Sequence, residues 1–157
     1  MENSTTEPFN TANSNAMLSA VHLAPYLPYG LKLQYVVREK VEKTGIMKKI
    51  IHNEDETNPT KVSIDWNDAE HIWMFKPILR PLSDLTKEIE HNGGKFVPID
   101  YNAFRESKEH LIEFQNKFAH YKSVKYGIIE RLLEWHFDVF GLIDSGLAID
   151  INTLSDE

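Results

Sequence analysis

The chain has 157 residues, no cysteine and a formal charge of −7. That length supports one hydrophobic core without a staple, and the missing thiols exclude disulfides, zinc fingers, thiolate metal sites and a cysteine nucleophile. The acid excess disfavours broad attraction to nucleic acid or anionic lipid, no apolar run approaches the roughly eighteen residues of a membrane helix, and the N-terminus lacks the apolar centre of a secretory signal.

These features point to a cytoplasmic protein with no membrane association. Residues 1–16 carry little large apolar surface beyond Phe9 and are expected to form a mobile tail, leaving 17–157 as a single domain. From Leu23, LAPYLPYG holds two prolines and ends in Gly30, which favours a turn-rich approach over a long helix. Leu31, Leu33, Tyr35 and Val37 then alternate with Lys32, Gln34, Val36 and Arg38, the period of a half-buried strand. KVEKTG, ending at Gly45, is predicted to be a turn, with further strands from Ile46 to His52 and from Lys61 to Trp66. An exposed acidic loop is expected over 53–60.

WNDAEHIWMF predicts one or two helical turns capped by Asn67 or Asp68. Pro77 and Pro81 keep FKPILRP out of a helix and put it across the surface or at a sheet edge. SDLTKEIEHN predicts a short helix capped by Ser83 or Asp84 and stopped by Gly93 and Gly94, followed by a short strand from Lys95. Leu111, Phe114, Phe118 and Tyr121 share one helical stripe, so a first long amphipathic helix is predicted there. A second helix carries Ile129, Leu132, Leu133, His136 and Phe140 on one face and Ile128, Trp135 and Val139 on another, with Gly141 as its stop. Leu147, Ile149 and Ile151 alternate as a last strand. The expected fold class is α+β: a small antiparallel sheet, made of the N-terminal meander and a C-terminal strand, packed against two C-terminal helices.

No sequence pattern assembles an active site. Glu88 with His91 and Asp68 with His71 have helical i, i+3 spacing, but each pair stands alone, so solvated surface histidines are expected and no metal or other cofactor is assigned. His136 lies on the apolar stripe and is expected to be a core or boundary imidazole bonded to a backbone carbonyl, Asp138 or Glu134. A general base there would need a second catalytic group. No nucleophile elbow or phosphate-cradling glycine loop occurs, and Ser145 suits a turn. Asp144 with Asp150 and Glu130 with Glu134 resemble ordinary surface acids.

Two surfaces remain. The segment from Lys32 to Lys49 carries Lys32, Arg38, Lys40, Lys43, Lys48 and Lys49 against Glu39 and Glu42, a basic hairpin suited to phosphate. Trp135, Phe137, Val139 and Phe140 crowd one helix, so Trp135, Phe137 or Phe140 is expected to reach the surface as a partner anchor.

Four blocks, LAPYLPYGLKLQ from Leu23, FKPILRPLSDLTKEI from Phe75, KFVPID from Lys95 and LLEWHFDVFGLIDSGLAIDINTL from Leu132, resemble a group of small uncharacterised proteins encoded by phages and mobile elements of Bacteroidetes. The segment from Val36 to Phe75 matches no fixed pattern in that group. The resemblance implies a phage or prophage context and assigns no catalytic residue. The expectation is a non-enzymatic accessory protein that contacts a protein partner. Nucleic-acid binding through Lys32, Arg38, Lys48 and Lys49 is the alternative, and a small hydrolase is the remote one.

Overall fold

A computed structural model describes residues 17–52, 60–65, 68–102, 104, 109, 112 and 125–154. The expected tail, the loop over 53–59, Trp66 and Asn67, and nearly all of the first long helix lie outside the described residues.

The chain is an α+β protein built on a six-stranded sheet. One helical turn, α1 (Ala20–Leu23), runs into a 3-10 helix (Ala24–Tyr29) that accommodates Pro25 and Pro28 and stops at Gly30, whose φ is 65°. Then come β1 (Lys32–Val37), β2 (Lys40–Ile51), β3 (Lys61–Ile64), β4 (Glu70–His71) and β5 (Phe75–Leu79). A short 3-10 helix (Leu82–Thr86) leads to the hairpin β6 (Ile89–His91) and β7 (Gly94–Phe96). A nine-residue helix, α2 (Tyr126–Glu134), precedes β8 (Ile149–Asp150). The strand order is β4-β3-β2-β1-β5-β8.

Several expectations are corrected. KVEKTG is not a turn, because β2 runs through it and the chain reverses earlier, at Arg38 and Glu39, whose φ values are 50° and 64°. Positive φ at both central residues is the type I′ pattern that matches the twist of a hairpin. Gly93 and Gly94 do not end a helix. Asn92 and Gly93, at 50° and 78°, form the same kind of two-residue turn between β6 and β7, and SDLTKEIEHN is split between the 3-10 turn over Leu82–Thr86, with Pro81 rather than Ser83 or Asp84 at its N-cap position, and strand β6. Likewise, the turn after Asp68 is a three-residue 3-10 helix (Ile72–Met74) capped by His71, not by Asn67 or Asp68.

FKPILRP lies inside the sheet rather than at its edge. β5 pairs antiparallel with β1 and parallel with β8, so the sheet is mixed rather than antiparallel. Proline is tolerated there because Pro77 faces Leu33, whereas β8 reaches only Ile78 and Leu79 and places no ladder partner beside it.

The second helix also stops early. Trp135 is its C-cap, the amide of His136 donates to the Leu133 carbonyl, and the amide of Phe137 donates to the Leu132 carbonyl. This 6→1 and 5→2 pair is a Schellman motif with His136, not Gly141, in the left-handed C′ position at φ 59°. His136, Phe137, Val139 and Phe140 therefore belong to the irregular segment after α2.

One sheet face and the segments around it form the core. Leu33, Met47, Val62, Phe75 and Leu79 of the strands, with Leu31 just before β1, meet Leu23 and Tyr26 from the N-terminal helices and Leu132, Trp135 and Phe137 from the C-terminal part. Tyr26 is fully buried and donates its hydroxyl to the Phe137 carbonyl at 2.6 Å, tying residues 111 positions apart.

Candidate functional site

The β1–β2 hairpin outgrows the sheet that supports it. β5 pairs with β1 only at Leu33, Gln34 and Tyr35, and β3 pairs with β2 only from Met47 to Ile51. Between Val36 and Thr44, among the described strands, β1 and β2 have only each other as ladder partners. Every residue from Arg38 to Thr44 is exposed, Val41 included. Two irregularities twist the ribbon: Glu42 is the extra residue between the pairs Tyr35–Lys43 and Val36–Val41, and Lys48 the extra one between Met47–Ile64 and Lys49–Ser63. Consecutive strand side chains ordinarily face opposite ways, yet Lys48 and Lys49 are both exposed. The four residues expected to meet phosphate, Lys32, Arg38, Lys48 and Lys49, thus all lie exposed along one ribbon.

At the ribbon's base a cleft of about 420 Å³ opens between the sheet and the β6–β7 hairpin. Lys32, Arg80, His91 and His136 line it, with Ile78 and Tyr29 among its less polar walls. The backbone sets Arg80 and His136 side by side. The Arg80 amide donates to the His136 carbonyl at 2.8 Å and the Asp138 amide donates to the Arg80 carbonyl at 2.8 Å, a parallel bridge that extends the sheet beyond β5. The His136 imidazole donates from Nε2 to the Tyr29 carbonyl at 2.7 Å, as the carbonyl-bonded expectation required. His91 stands edge-on to it, ring centroids 5.6 Å apart.

Burial and neighbouring charges disfavour protonation of both rings. Burial pushes His136 below its ordinary value, opposed by the bond to Tyr29 and reinforced by His91, Arg80 and Lys32. Burial also lowers His91, where Glu134 acts upward and Arg80 downward. Arg80 is itself half-buried, and burial works against its charge. Its Nη2 donates to the Glu90 carbonyl at 3.3 Å, while its buried Nε–H has no acceptor. Asp84 acts on it in the opposite sense, favouring the charge, while one carboxylate oxygen of Asp84 accepts from Lys87 at 2.9 Å and the other from Asn152 at 2.7 Å.

The proposed partner anchors fare differently. Trp135 and Phe137 are buried, at 5% and 0% exposure, so neither is a surface anchor. Trp135 is enclosed by Phe96, Tyr101 and Phe104 at centroid distances of 4.8, 5.3 and 5.5 Å, which is why an early helix end can absorb so many aromatics. Phe140 alone is half-buried and lines an apolar groove of about 460 Å³ with Pro25, Pro28, Ile129 and the exposed Tyr126.

Neither histidine–carboxylate pair sits on a helix face. Glu88 precedes β6, which holds His91, and His71 lies in β4, stacked on Trp73 at 4.2 Å. Among the described residues no three or more His, Asp or Glu side chains converge as metal ligands. Glu134 pairs with Arg131, Asp150 accepts from the Asn152 amide, and Ser145 bonds back to Gly141 and Leu142 within a turn. Sequence reasoning missed Arg80 altogether. Its partnership with His136 is a contact across 56 positions of chain, set by one long-range bridge, and leaves no local pattern.

No helix of the described residues is long and apolar enough to cross a membrane. The chain matches no protein-family model, no curated protein and no solved structure, so its function is argued from its own residues.

Proposed function

We propose that this is a non-enzymatic accessory protein of a phage or mobile element that works by contacting another macromolecule, with the β1–β2 ribbon as the contact element and duplex DNA as the partner. The observation that carries this is the ribbon itself: exposed from Arg38 to Thr44, twisted by two irregularities, and bearing six cations against two carboxylates on an otherwise acidic chain. A two-stranded ribbon fits the major groove of B-DNA, and lysine and arginine along it displace condensed counterions from phosphate. The acidic remainder supports a local contact rather than a coating of the whole surface.

Anisotropy of a labelled duplex tests it. Affinity should fall with added salt along a log–log slope of about −2 to −4, as for two to four phosphates neutralised. Lys48→Glu with Lys49→Glu should weaken binding by roughly tenfold or more and flatten that slope. Affinity indifferent to both salt and substitution would contradict it.

A second reading, contact with a protein, is favoured by the apolar groove beside Tyr126, which is 79% exposed.

A further inference from the structure

The cleft beneath the ribbon has a different chemistry from the ribbon itself. It is concave, and its volume of about 420 Å³ falls in the range of small-molecule sites. Arg80 brings a permanent charge on a half-buried guanidinium that lines the cleft, with its Nη2 donating to the Glu90 carbonyl at 3.3 Å. Asp84 favours the Arg80 charge electrostatically, but its carboxylate oxygens accept from Lys87 and Asn152 and it does not line the cleft. Lys32 adds a second permanent charge at the rim.

We propose that this cleft is a binding site for a phosphomonoester, with Arg80 and Lys32 receiving the phosphate oxygens, His136 and His91 beside them, and Ile46, Ile78 and Ile151 walling the organic part of the ligand. Planar guanidinium donors match phosphate geometry, and the mixed wall accommodates a small body behind the charged head. Carboxylates face the site too. Glu90 lines it from β6 and Glu134 acts on His91 from α2, so a monoanion gains less there than a dianion that engages both permanent cations.

Proton uptake accompanies binding. With Nε2–H of His136 committed to Tyr29, protonation would place a new donor on Nδ1, and a dianion nearby stabilises that charge. The groups acting on His136 are Arg80, Lys32 and His91, all of which oppose its protonation in the free protein. Those acting on His91 are Glu134, which favours its protonation, and Arg80, which opposes it. The free protein holds both rings below their ordinary value of 6.5, so stability is lost as pH falls below it and the folded state binds fewer protons than the unfolded chain. A bound dianion should reduce that loss.

Calorimetric titration of the full chain with sulfate, a dianion throughout the working range, and with a nucleoside 5′-monophosphate tests the site, alongside the imidazole ring signals. Sulfate should tighten by about tenfold between about pH 7.5 and about pH 5.5, as an average uptake of roughly half a proton on binding gives over that range. Arg80→Gln should weaken both ligands by about tenfold or more, and His136→Gln should flatten the pH dependence. A duplex carrying 5′-phosphate that outcompetes its 5′-hydroxyl counterpart would assign the phosphate to nucleic-acid ends. Equal competition by the two would assign it to a free small molecule. No binding of either small anion at about 10 mM, where even weak specific sites fill, would overturn the proposal, as would binding unchanged in folded Arg80→Gln. If Arg80→Gln does not fold, the wild-type pH series and His136→Gln decide. A small anion does not span the ribbon, so failure here leaves the DNA reading intact, and failure of the DNA experiment leaves this one intact.

Discussion

Trp135→Ala should lower the unfolding free energy by about 3–5 kcal/mol, the range for removing a large enclosed aromatic side chain. Trp135 is 5% exposed and touches three rings, Phe96 of β7 and Tyr101 and Phe104 beyond it, so it ties the β6–β7 hairpin and the following segment to the end of α2. Those rings sit on parts of the chain that cannot easily follow one another into the space left behind, and the cavity persists. Denaturant unfolding checks the value. A variant of unchanged stability would contradict a core role and return Trp135 to the surface reading its sequence context suggested.

Asp138→Ala should cost about 2–4 kcal/mol, because it strands two amide donors that water reaches poorly. The carboxylate is buried at 2% exposure and accepts from the Leu142 amide at 2.9 Å and from the Ile143 amide at 2.8 Å, closing the turn that carries the chain from Phe140 toward β8. Burial pushes this carboxyl above its ordinary value near 3.8, while the amides of Ile143, Leu142 and Phe140 pull it back. The folded state therefore holds the proton more readily than the unfolded chain. Its stability contribution grows as pH falls through the raised folded value toward 3.8, and Asp138→Ala should remove that rise from the pH profile of unfolding. A loss well under 1 kcal/mol would mean the two amides find other acceptors.

Strand periodicity was legible where one face is buried. Val62 and Ile64 of β3 alternate with less buried neighbours because that strand has one core side, and Leu31 and Leu33 flank the exposed Lys32 at the start of β1, although Gln34 is buried as well and Tyr35 only half-buried. The ribbon beyond Val36 has no buried side, so nothing alternates, and KVEKTG looked like a turn. Its actual reversal at Arg38 and Glu39 carries no glycine or asparagine to announce the positive φ. Asn92 and Gly93 did announce theirs, but the helix-like SDLTKEIE before them drew the glycines into a helix stop. α2 was overextended because the apolar pattern continues past Glu134, whereas the chain turns on His136, whose place on the apolar stripe gives no sign of its left-handed backbone.

The candidate site was half legible. Basic residues clustered between Lys32 and Lys49 stand out in any acidic sequence, since charge needs no folding to be counted. The cleft could not be seen, because Arg80 and His136 meet only through a bridge between distant segments, and Trp135 and Phe137 stood with Phe140 as candidates for exposure because the apolar pattern predicts a helix longer than nine residues.

Residue-resolved amide shifts on adding duplex DNA at low salt test the ribbon most directly. Perturbations should concentrate between residues 36 and 49, with those of Arg38, Lys48 and Lys49 largest. Perturbations confined to Tyr126, Ile129 and Phe140, with the ribbon silent, would contradict it.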